Sequence, residues 1–462
     1  MKGYQYLRLL ATGLLVVCCL STQKLIAQRA ISIREALSLV QSQQPQLNSF
    51  KEQATAAGHN ISIARNALIP DVTVAYQAGF ATYNNITGMS YPGLILPISG
   101  PPSAGNSYEP VPGSALTALL KWNPVTFGQR QASIEKATAQ FKLANSYYDE
   151  ALFRQQYAAI AVYLDAVYLQ KLVQSHQANI DRTETGLQQS LVYAKEGLRP
   201  GIDTTQFQAA LAQAKTDLLL TERQYYAQVT ELSRLIGLND QADKITLSDT
   251  LVINKLPYIA DTAISVASHP FFLHQQARKV VSEAALKEIE RSWRPKLDLW
   301  ANAYGRGSGV SADGTLHKSD GWSLTRSNYG VGIQVSFPIL QFSLVNKQKK
   351  QFASLVKADE AQLSQLTLDL QKQQQTAQFN YRQDVLIARQ SIIQAQSAND
   401  AFTGLKLSYA SGLIDFTRLI QGQYDLLKAE TGKAGAFLQT WHALLDIAVT
   451  NGNLDEFTNK MK

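Results

Sequence analysis

The chain has 462 residues, of which 45% are hydrophobic and 17% charged, and its formal net charge at pH 7 is +7. This length is enough to bury a large core and by itself predicts two or three ordinary domains. The charge excess is too mild to indicate a nucleic-acid-binding protein.

The first 27 residues have the pattern of a secretory signal peptide. Lys2 and Arg8 precede an apolar run over 9–20, and the segment that ends at Ala27 suits signal peptidase. The alternative is a membrane anchor, but a run of about 12 residues is shorter than the roughly 20 that a helix needs to cross a bilayer. We therefore expect residues 1–27 to be a signal peptide that is removed on export.

Both cysteines, Cys18 and Cys19, lie in that segment, so the mature chain has no disulfide or thiolate metal site. The sequence leaves open whether Cys18 is lipid-modified. Without the segment, the chain has 40 basic and 36 acidic residues, and its net charge is +4. No later uncharged apolar run approaches the length of a membrane-spanning helix, so any contact with the bilayer core would have to be made by strands.

Three markers recur in the same order in the two halves of the mature chain. Pro70 corresponds to Pro295 and Pro124 to Pro338, and the Gly-Leu pair at 197–198 recurs at 412–413. Such self-similarity predicts two structural repeats. We place them at 28–238 and 259–450, with an inter-repeat linker at 239–258 and a C-terminal tail at 451–462.

Alternation of apolar and polar residues predicts two strands in each repeat, at about 70–83 and 114–124, and at about 295–305 and 328–338. Each run has about the ten residues that a tilted strand needs to cross a bilayer. Segments rich in proline and glycine, 84–113 and 305–325, are predicted to be the loops of the two strand pairs. The alternative is a half-buried sheet packed on helices.

Four strands are too few for a membrane barrel. A barrel must close to leave no unpaired edge, and single-chain barrels have about eight strands or more. If these strands enter a membrane, several copies of the chain must associate to complete the barrel.

Proline-free segments at about 128–198 and 343–412 predict very long helices, each followed by a shorter one, at about 203–237 and 415–450. A helix of about 70 residues would reach roughly 100 Å. Asp203 and Asp415 are placed to cap the helices that follow the two turns. Steps of three and four predict a coiled-coil seam, which is most regular in the last helix: Ile420, Tyr424, Leu427, Thr431, Ala434, Leu438, Trp441, Leu445 and Ala448.

The chain resembles the TolC-type outer-membrane efflux proteins over essentially the whole mature sequence. The resemblance rests on the order of four features: the signal peptide, the repeated halves, the proline-marked strand entries and the Gly-Leu hairpin tips. The resemblance implies a fold that is mainly α with a membrane β-barrel portion. In it, four strands per chain contribute to a shared barrel of twelve strands in a homotrimer, and long antiparallel coiled-coil helices form a periplasmic tunnel. It also implies contact with outer-membrane lipid, and a periplasmic adaptor protein and an inner-membrane pump as partners.

The family resemblance also implies the positions of two kinds of site. Acidic side chains at the start of the last long helix narrow the tunnel in that family, which assigns the pore gate to Asp415 and to the position three residues later. That later position is Arg418 here, which departs from a pattern of two acidic rings. An aspartate at 415 is equally explained as a helix cap. The implied adaptor-docking tips are Gly197, Leu198, Gly412 and Leu413, although a glycine at a helix end is usually a C-cap.

No residue pattern typical of an enzyme or a cofactor site is found. The six histidines are scattered, and only His269 and His274 are near each other, at a spacing that does not align on one helical face. The glycines of 305–309 lack the strand-to-helix context of a phosphate-binding loop. We expect no enzyme activity, no cofactor and no bound metal.

The sequence favours the outer-membrane channel component of a tripartite efflux or secretion system, a passive exit duct for solutes pumped by an inner-membrane transporter. A periplasmic coiled-coil scaffold or adaptor that does not enter the membrane is the alternative. The sequence does not indicate whether the cargo is a drug, a metal ion or a polypeptide. It also does not indicate the class of pump.

Overall fold

The computed structural model describes residues 29–84, 105–238, 245–249, 254–257, 266–311 and 313–461. The predicted signal peptide, most of the predicted loop 84–113 and much of the linker 239–258 lie outside these ranges. The chain divides into two compact units: a helical unit of Met1–Glu52, Asn145–Gln275 and Gln362–Lys462, and a sheet unit of Gln53–Ala144 and Gln276–Ala361. Each unit takes segments from both predicted repeats.

Four antiparallel strands form the sheet of the sheet unit, and they lie side by side in the order in which they follow along the chain. Strand β1, the short N-terminal Arg29–Ile31, belongs to the helical unit. The four strands of the sheet are β2 (Asp71–Ala81), β3 (Val111–Val125), β5 (Lys296–Ser308) and β6 (Arg326–Ser336). Among the described residues, β2 and β6 are paired on one side only, so both edges of the sheet are open.

The register places the apolar residues of all four strands on one face. Val72 is opposite Leu120, Leu120 is opposite Ala301, and Ala301 is opposite Val331. Residues that are direct cross-strand partners project to the same side of a sheet. This face is exposed along β2, all of whose eleven residues are exposed, and along most of β6, and it is partly buried along β3 and β5. The exposed apolar residues of the two edge strands do not fit the alternative of a half-buried sheet packed on helices.

The second strand pair extends further than the alternation predicted. Strand β5 continues to Ser308 through three residues predicted as loop, because Gly307 and Ser308 keep pairing with β3. A 3₁₀ turn at Lys318–Trp322 lies beyond its end. Room for this turn depends on Gly307, where a Cβ would be 2.8 Å from the Asp320 carbonyl oxygen.

Eight α-helices are described. They are α1 (Ile33–Gln43), α2 (Pro45–Asn66), α3 (Gln129–Lys195), α4 (Ile202–Leu235), α5 (Pro270–Arg291), α6 (Phe342–Ala410), α7 (Phe416–Thr450) and α8 (Asp455–Lys460). None of them, within the described residues, has a stretch apolar enough and long enough to cross a membrane.

Ion pairs join neighbouring helices in the sheet unit. The Lys136 ammonium is 2.8 Å from the Glu288 carboxylate, which links α3 to α5, and Lys349 is 2.7 Å from Glu290, which links α6 to α5. These side chains are partly exposed, so each pair adds about 1 kcal/mol or less. The pairs therefore indicate which helices are neighbours more than they stabilise the unit.

The core of the helical unit is built on the seam of α7. Leu427, Ala434, Leu438, Trp441, Leu445 and Ala448 are all buried, as the step of three and four predicts. Tyr424 is 40% exposed and lies off the buried seam. Facing residues include Tyr163 and Leu164 of α3 and Leu232 of α4, in one continuous apolar cluster.

A two-stranded parallel ribbon packs against this core, to which it contributes Ile31, Ile245 and Leu247. Strand β1 pairs with β4 (Ile245–Leu247). The Tyr163 hydroxyl donates to the Ile31 carbonyl oxygen at 2.9 Å, and the Asp249 carboxylate accepts the Ile33 N–H at 2.8 Å. These bonds fix the start of the described chain and the segment after α4 to the long helix α3.

Candidate functional site

The two helical hairpins of the helical unit end in the same backbone motif. We call residues 196–201, between α3 and α4, the first tip, and residues 411–415, between α6 and α7, the second tip. Gly197 has φ +69° and Gly412 has φ +76°. The Leu198 N–H donates to the Tyr193 carbonyl at 2.8 Å, and the Leu413 N–H to the Ser408 carbonyl at 2.9 Å.

This six-to-one bond with a left-handed glycine is a Schellman helix end, and it explains both glycines. No atom lies within 4 Å of where a Cβ of Gly197 would stand, so the backbone conformation and not crowding requires glycine there. The motif turns the next residue outwards. Leu198 is 69% exposed and Leu413 is 78% exposed, so both tips present a leucine to solvent.

Asp415 caps the N-terminus of α7. Its side chain accepts the backbone N–H of Arg418 at 3.0 Å, and its own backbone is extended. In the described part of the chain, no ion pair joins the Asp415 carboxylate to the Arg418 guanidinium. The two predicted gate residues are thus brought together through the backbone, and the Arg418 charge is left available to solvent or to another chain.

Asp203 does not have the capping role that its sequence position predicted. Helix α4 begins at Ile202 with Gly201 as N-cap, so Asp203 is already inside the first turn. Its carboxylate accepts a hydrogen bond at 2.9 Å from the hydroxyl of Tyr409, near the end of α6. Both residues are buried, so Asp203 joins one hairpin to the other.

Arg199 makes a second connection between the tips. One guanidinium nitrogen, Nη2, donates to the Tyr409 carbonyl at 2.8 Å and to the Ile414 carbonyl at 3.2 Å. The guanidinium also lies 4.7 Å from the centre of the Tyr409 ring, a favourable cation–π geometry. Arg199 in the first tip therefore binds the backbone just before the second tip, at Tyr409, and within it, at Ile414.

An aromatic cluster lies just behind these polar contacts. The ring centres of Phe207 and Phe416 are 4.6 Å apart in an edge-to-face arrangement, and Tyr409 and Leu419 complete the buried group. Gly186 of α3 leaves the space that the Phe207 ring occupies. The cluster excludes water from the Asp203–Tyr409 bond and thereby strengthens it.

Burial raises the pKa of the Tyr409 hydroxyl, and the hydrogen bond to Asp203 raises it further. The nearby Arg199 charge acts in the opposite direction but is a smaller cause. Tyr409 is therefore protonated, and a hydrogen-bond donor, throughout the pH range in which cells live.

A polar layer connects α3 to α7 further from the tips. The side-chain amide of Gln423 donates to Oδ1 of Asn179 at 2.8 Å and to the Thr183 hydroxyl at 2.6 Å. Arg182 and Glu430 form a two-bond ion pair with distances of 3.0 and 2.7 Å. Because buried polar groups need partners, this layer favours one register between the two helices.

The two histidines that are near each other in the sequence make different hydrogen bonds, and both lie near the Glu150 carboxylate. His269 is buried, with Nε2 3.0 Å from the Val449 carbonyl oxygen, whereas His274 Nδ1 is 3.4 Å from the Ser146 hydroxyl. Over the described ranges, no group of three or more His, Cys, Asp or Glu side chains is arranged to hold a metal ion.

Aromatic side chains border the apolar face of the sheet at both ends. At the end near the helices, Trp293 packs edge-on against Phe337 with ring centres 6.0 Å apart. At the other end, Phe80 packs against Trp322 at 5.3 Å. We call the exposed apolar surface between them the apolar band; from Tyr329 in β6 to Phe337, just after it, the band is about 26 Å long along the strand at roughly 3.3 Å per residue.

No protein-family model and no curated protein sequence matches the chain. Solved structures of outer-membrane channels do. The chain is similar to the outer membrane protein VceC from Vibrio cholerae, with a TM-score of 0.71 and 14% identity over 91% of this chain and 96% of that one. It is also similar to the Campylobacter jejuni outer membrane channel CmeC, with a TM-score of 0.72 and 11% identity over 93% and 89%.

A third similar structure is the open state of the Neisseria gonorrhoeae outer membrane channel MtrE, with a TM-score of 0.70 and 14% identity over 91% of this chain and 89% of that one. At such identities the likeness shows the fold. The predicted fold class, with four strands per chain and long paired helices, is confirmed, and so is the resemblance to TolC-type proteins at the level of the fold.

Proposed function

We propose that the protein is the outer-membrane channel component of a tripartite efflux or secretion system, with its helical part in the periplasm. The apolar band is the observation that carries this proposal. It is exposed along β2 and β6, and aromatic residues border it at both ends. At the usual strand tilt its length gives a height of about 20 Å, comparable to the roughly 25 Å of outer-membrane barrels. The opposite face of the sheet is polar, as a water-filled lumen requires.

Closure of the barrel requires other copies of the chain. Strands β2 and β6 each have one unpaired edge among the described residues, and open edges are not tolerated in a membrane. Three copies would supply twelve strands, within the range of known barrels. We therefore propose a homotrimer in which β6 of one copy pairs with β2 of the next.

The tips are the proposed docking sites for a periplasmic adaptor protein. Leu198 and Leu413 are apolar and exposed, and their backbone is held by the Schellman helix ends that contain the left-handed Gly197 and Gly412. A backbone that is already ordered loses little conformational entropy on binding, which suits these residues to be contact points. Crosslinking from Leu198→Cys and Leu413→Cys to an adaptor, compared with the same reaction from an exposed site on another part of α4, tests this role.

The proposed transport is passive, with energy supplied by an inner-membrane pump, and the chain itself is not proposed to be an enzyme. Asp415 and Arg418 are the proposed gate residues at the tunnel entrance. An Arg418 side chain that does not pair with Asp415 would place a ring of positive charge one turn behind a ring of negative charge in the trimer. Such a pair of rings is less selective for cations than two acidic rings.

Membrane insertion is tested by placing a charge on either face of one strand. Ile333 is 70% exposed within the apolar band, and Gln334 projects to the opposite face of β6. A lysine in contact with lipid near the bilayer midplane costs about 2–4 kcal/mol. We expect Ile333→Lys to abolish the carbonate-resistant outer-membrane form and Gln334→Lys to retain it.

The same experiment separates the channel from the periplasmic scaffold. A scaffold would be released by carbonate in the parent protein and would treat both lysine variants alike. Mass measurement in detergent adds the oligomeric state, for which we expect three copies.

A further inference from the structure

One tryptophan lies on the mainly polar face of the sheet, which also carries Leu119 of β3. Trp300 in β5 is directly opposite Lys121 in β3 and Gly332 in β6, and its parity places Asp298 and Asn302 on the same face. The apolar band is on the other face, so contact with lipid does not account for this residue. Its position calls for an explanation within the lumen of the proposed channel.

The indole covers the backbone of β6 at two glycines. A Cβ at Gly332 would be 2.5 Å from Trp300 Cε2, and one at Gly330 would be 3.3 Å from Trp300 Cζ3. The ring therefore extends along β6 over two successive positions of the same face. Although one side of the ring is covered in this way, the residue is still 36% exposed, which leaves an aromatic surface open to the solvent.

Polar groups lie beside this aromatic surface. The Asn302 side chain also leans over β6, since a Cβ at Gly330 would be 2.9 Å from Asn302 Oδ1. Asp298 is about 7 Å along β5 on the same face, and its carboxylate is 3.4 Å from the Ser336 hydroxyl. Packing of an aromatic ring on glycine stabilises a sheet by itself, but it does not require an amide and a carboxylate next to the exposed side.

We propose that Trp300, Asp298 and Asn302 form a binding site for planar aromatic cations on the wall of the barrel. This inference rests on the proposed channel function, which places the polar face in the lumen. A cation is attracted to the face of an indole ring, and the Asp298 carboxylate adds to that attraction. Lys121 is on the side of Trp300 away from β6, so we place the bound cation over β5 and β6.

The functional consequence is selectivity among exported solutes. Each copy of the chain in the barrel would carry one such site, and a solute with a positively charged aromatic group would pause there on its way out. An aliphatic cation of the same charge gains no stacking on the ring and would pass with less delay.

Current block in planar bilayers tests the site with the purified full-length protein. The probes are phenyltrimethylammonium, which has a ring, and tetraethylammonium, which has the same charge without one. We expect the aromatic cation to block the parent channel at lower concentration. Trp300→Leu should raise its half-blocking concentration about tenfold. Block by tetraethylammonium, which loses only the attraction of its charge to the ring and no stacking, should weaken less, and the open-channel conductance should be unchanged.

Two further variants make the result specific. Gly332→Ala retains the tryptophan but places a methyl group 2.5 Å from the ring, which must move off its position on β6, so we expect a similar loss of aromatic block. Trp293→Leu is the matched control, because Trp293 is 40% exposed and packs against Phe337 at the edge of the apolar band. It should leave the block unchanged.

The outcomes separate the site from the channel. Aromatic block that persists in Trp300→Leu, or that is lost equally in Trp293→Leu, overturns the Trp300 site. A parent channel that conducts normally without preferring the aromatic cation also overturns the site and leaves the channel function intact. A parent protein that forms no pores overturns the channel function and the lumen site together.

Discussion

The Tyr409 hydroxyl donates a hydrogen bond to the Asp203 carboxylate at 2.9 Å, and this bond joins the hairpin of α6 and α7 to the hairpin of α3 and α4. Only 2% of Tyr409 and 8% of Asp203 is exposed. Since the pKa of Tyr409 is raised, the donor does not titrate in ordinary conditions. The Tyr409 hydroxyl therefore remains the donor in this contact through moderate changes in pH.

Tyr409→Phe is expected to destabilise the helical unit by about 2 kcal/mol, because it leaves the buried Asp203 carboxylate without its donor. The measurement is the midpoint of thermal unfolding, followed by circular dichroism in detergent. Tyr424→Phe is the matched control, since Tyr424 is 40% exposed on α7. Equal midpoints for the two variants would show that the Asp203–Tyr409 bond adds no stability.

Asp415→Asn separates the gate from the cap. Asparagine retains a side-chain oxygen that can accept the Arg418 N–H, so the start of α7 and the thermal midpoint should be unchanged. Loss of the negative charge should lower the ratio of cation to anion permeability in planar bilayers. Asp425→Asn, further along α7, is the control and should have a smaller effect. An unaltered permeability ratio in Asp415→Asn would leave Asp415 as a helix cap alone.

Burial lowers the pKa of His269 below its ordinary value of 6.5, and a hydrogen bond to the Val449 carbonyl and the Glu150 charge only partly oppose this. The folded state thus prefers the neutral ring, whose Nδ1 accepts the Phe271 N–H at 3.1 Å. Above pH 6.5 the ring is neutral in both the folded and the unfolded state, and its contribution to the stability of the fold is fully present. As the pH falls from 6.5 towards the folded pKa, the unfolded chain takes up a proton first and stability is lost.

We therefore expect the temperature of the unfolding midpoint to decrease as the pH is lowered from 8 to 5. In His269→Gln this decrease should be smaller. His59→Gln changes an exposed histidine and should leave the pH dependence as it is in the parent. If the two variants show the same pH dependence, His269 is not a source of it.

The fold was predictable because its main elements are long and strongly periodic. The alternation in β6 and the seam from Leu427 to Ala448 each repeat a pattern many times, so a single residue that departs from the pattern does not prevent its recognition. Strands β1 and β4 have only three residues each, too few for alternation to be recognised. Their pairing also brings together residues such as Ile33 and Asp249, which are 216 positions apart.

The tip glycines were predictable for the same local reason, since a Schellman helix end depends on neighbouring residues alone. The network behind them was not. Arg199 and Tyr409 are 210 positions apart, and no periodic signal marks either of them. Asp203 shows the limit of local reasoning: an aspartate at the start of a helix suggests a cap, but the helix begins one residue earlier and the carboxylate binds Tyr409 instead.

Two glycines in long helices should respond to the same substitution with opposite signs. At Gly404 in α6 nothing lies within 4 Å of the missing Cβ, so Gly404→Ala should stabilise the helix by about 1 kcal/mol. At Gly186 in α3 a Cβ would overlap the ring of Phe207, which is 1% exposed and has little room to move.

Gly186→Ala should therefore destabilise the protein by about 1–3 kcal/mol, the usual cost of overpacking a core. Phe207→Leu on the Gly186→Ala background removes the part of the ring that overlaps the methyl group, so the double variant should lose less stability than the sum of the single variants. Thermal midpoints of the four proteins measure this coupling. Strict additivity of Gly186→Ala and Phe207→Leu would mean that the glycine is not needed to seat the Phe207 ring behind the Asp203–Tyr409 bond.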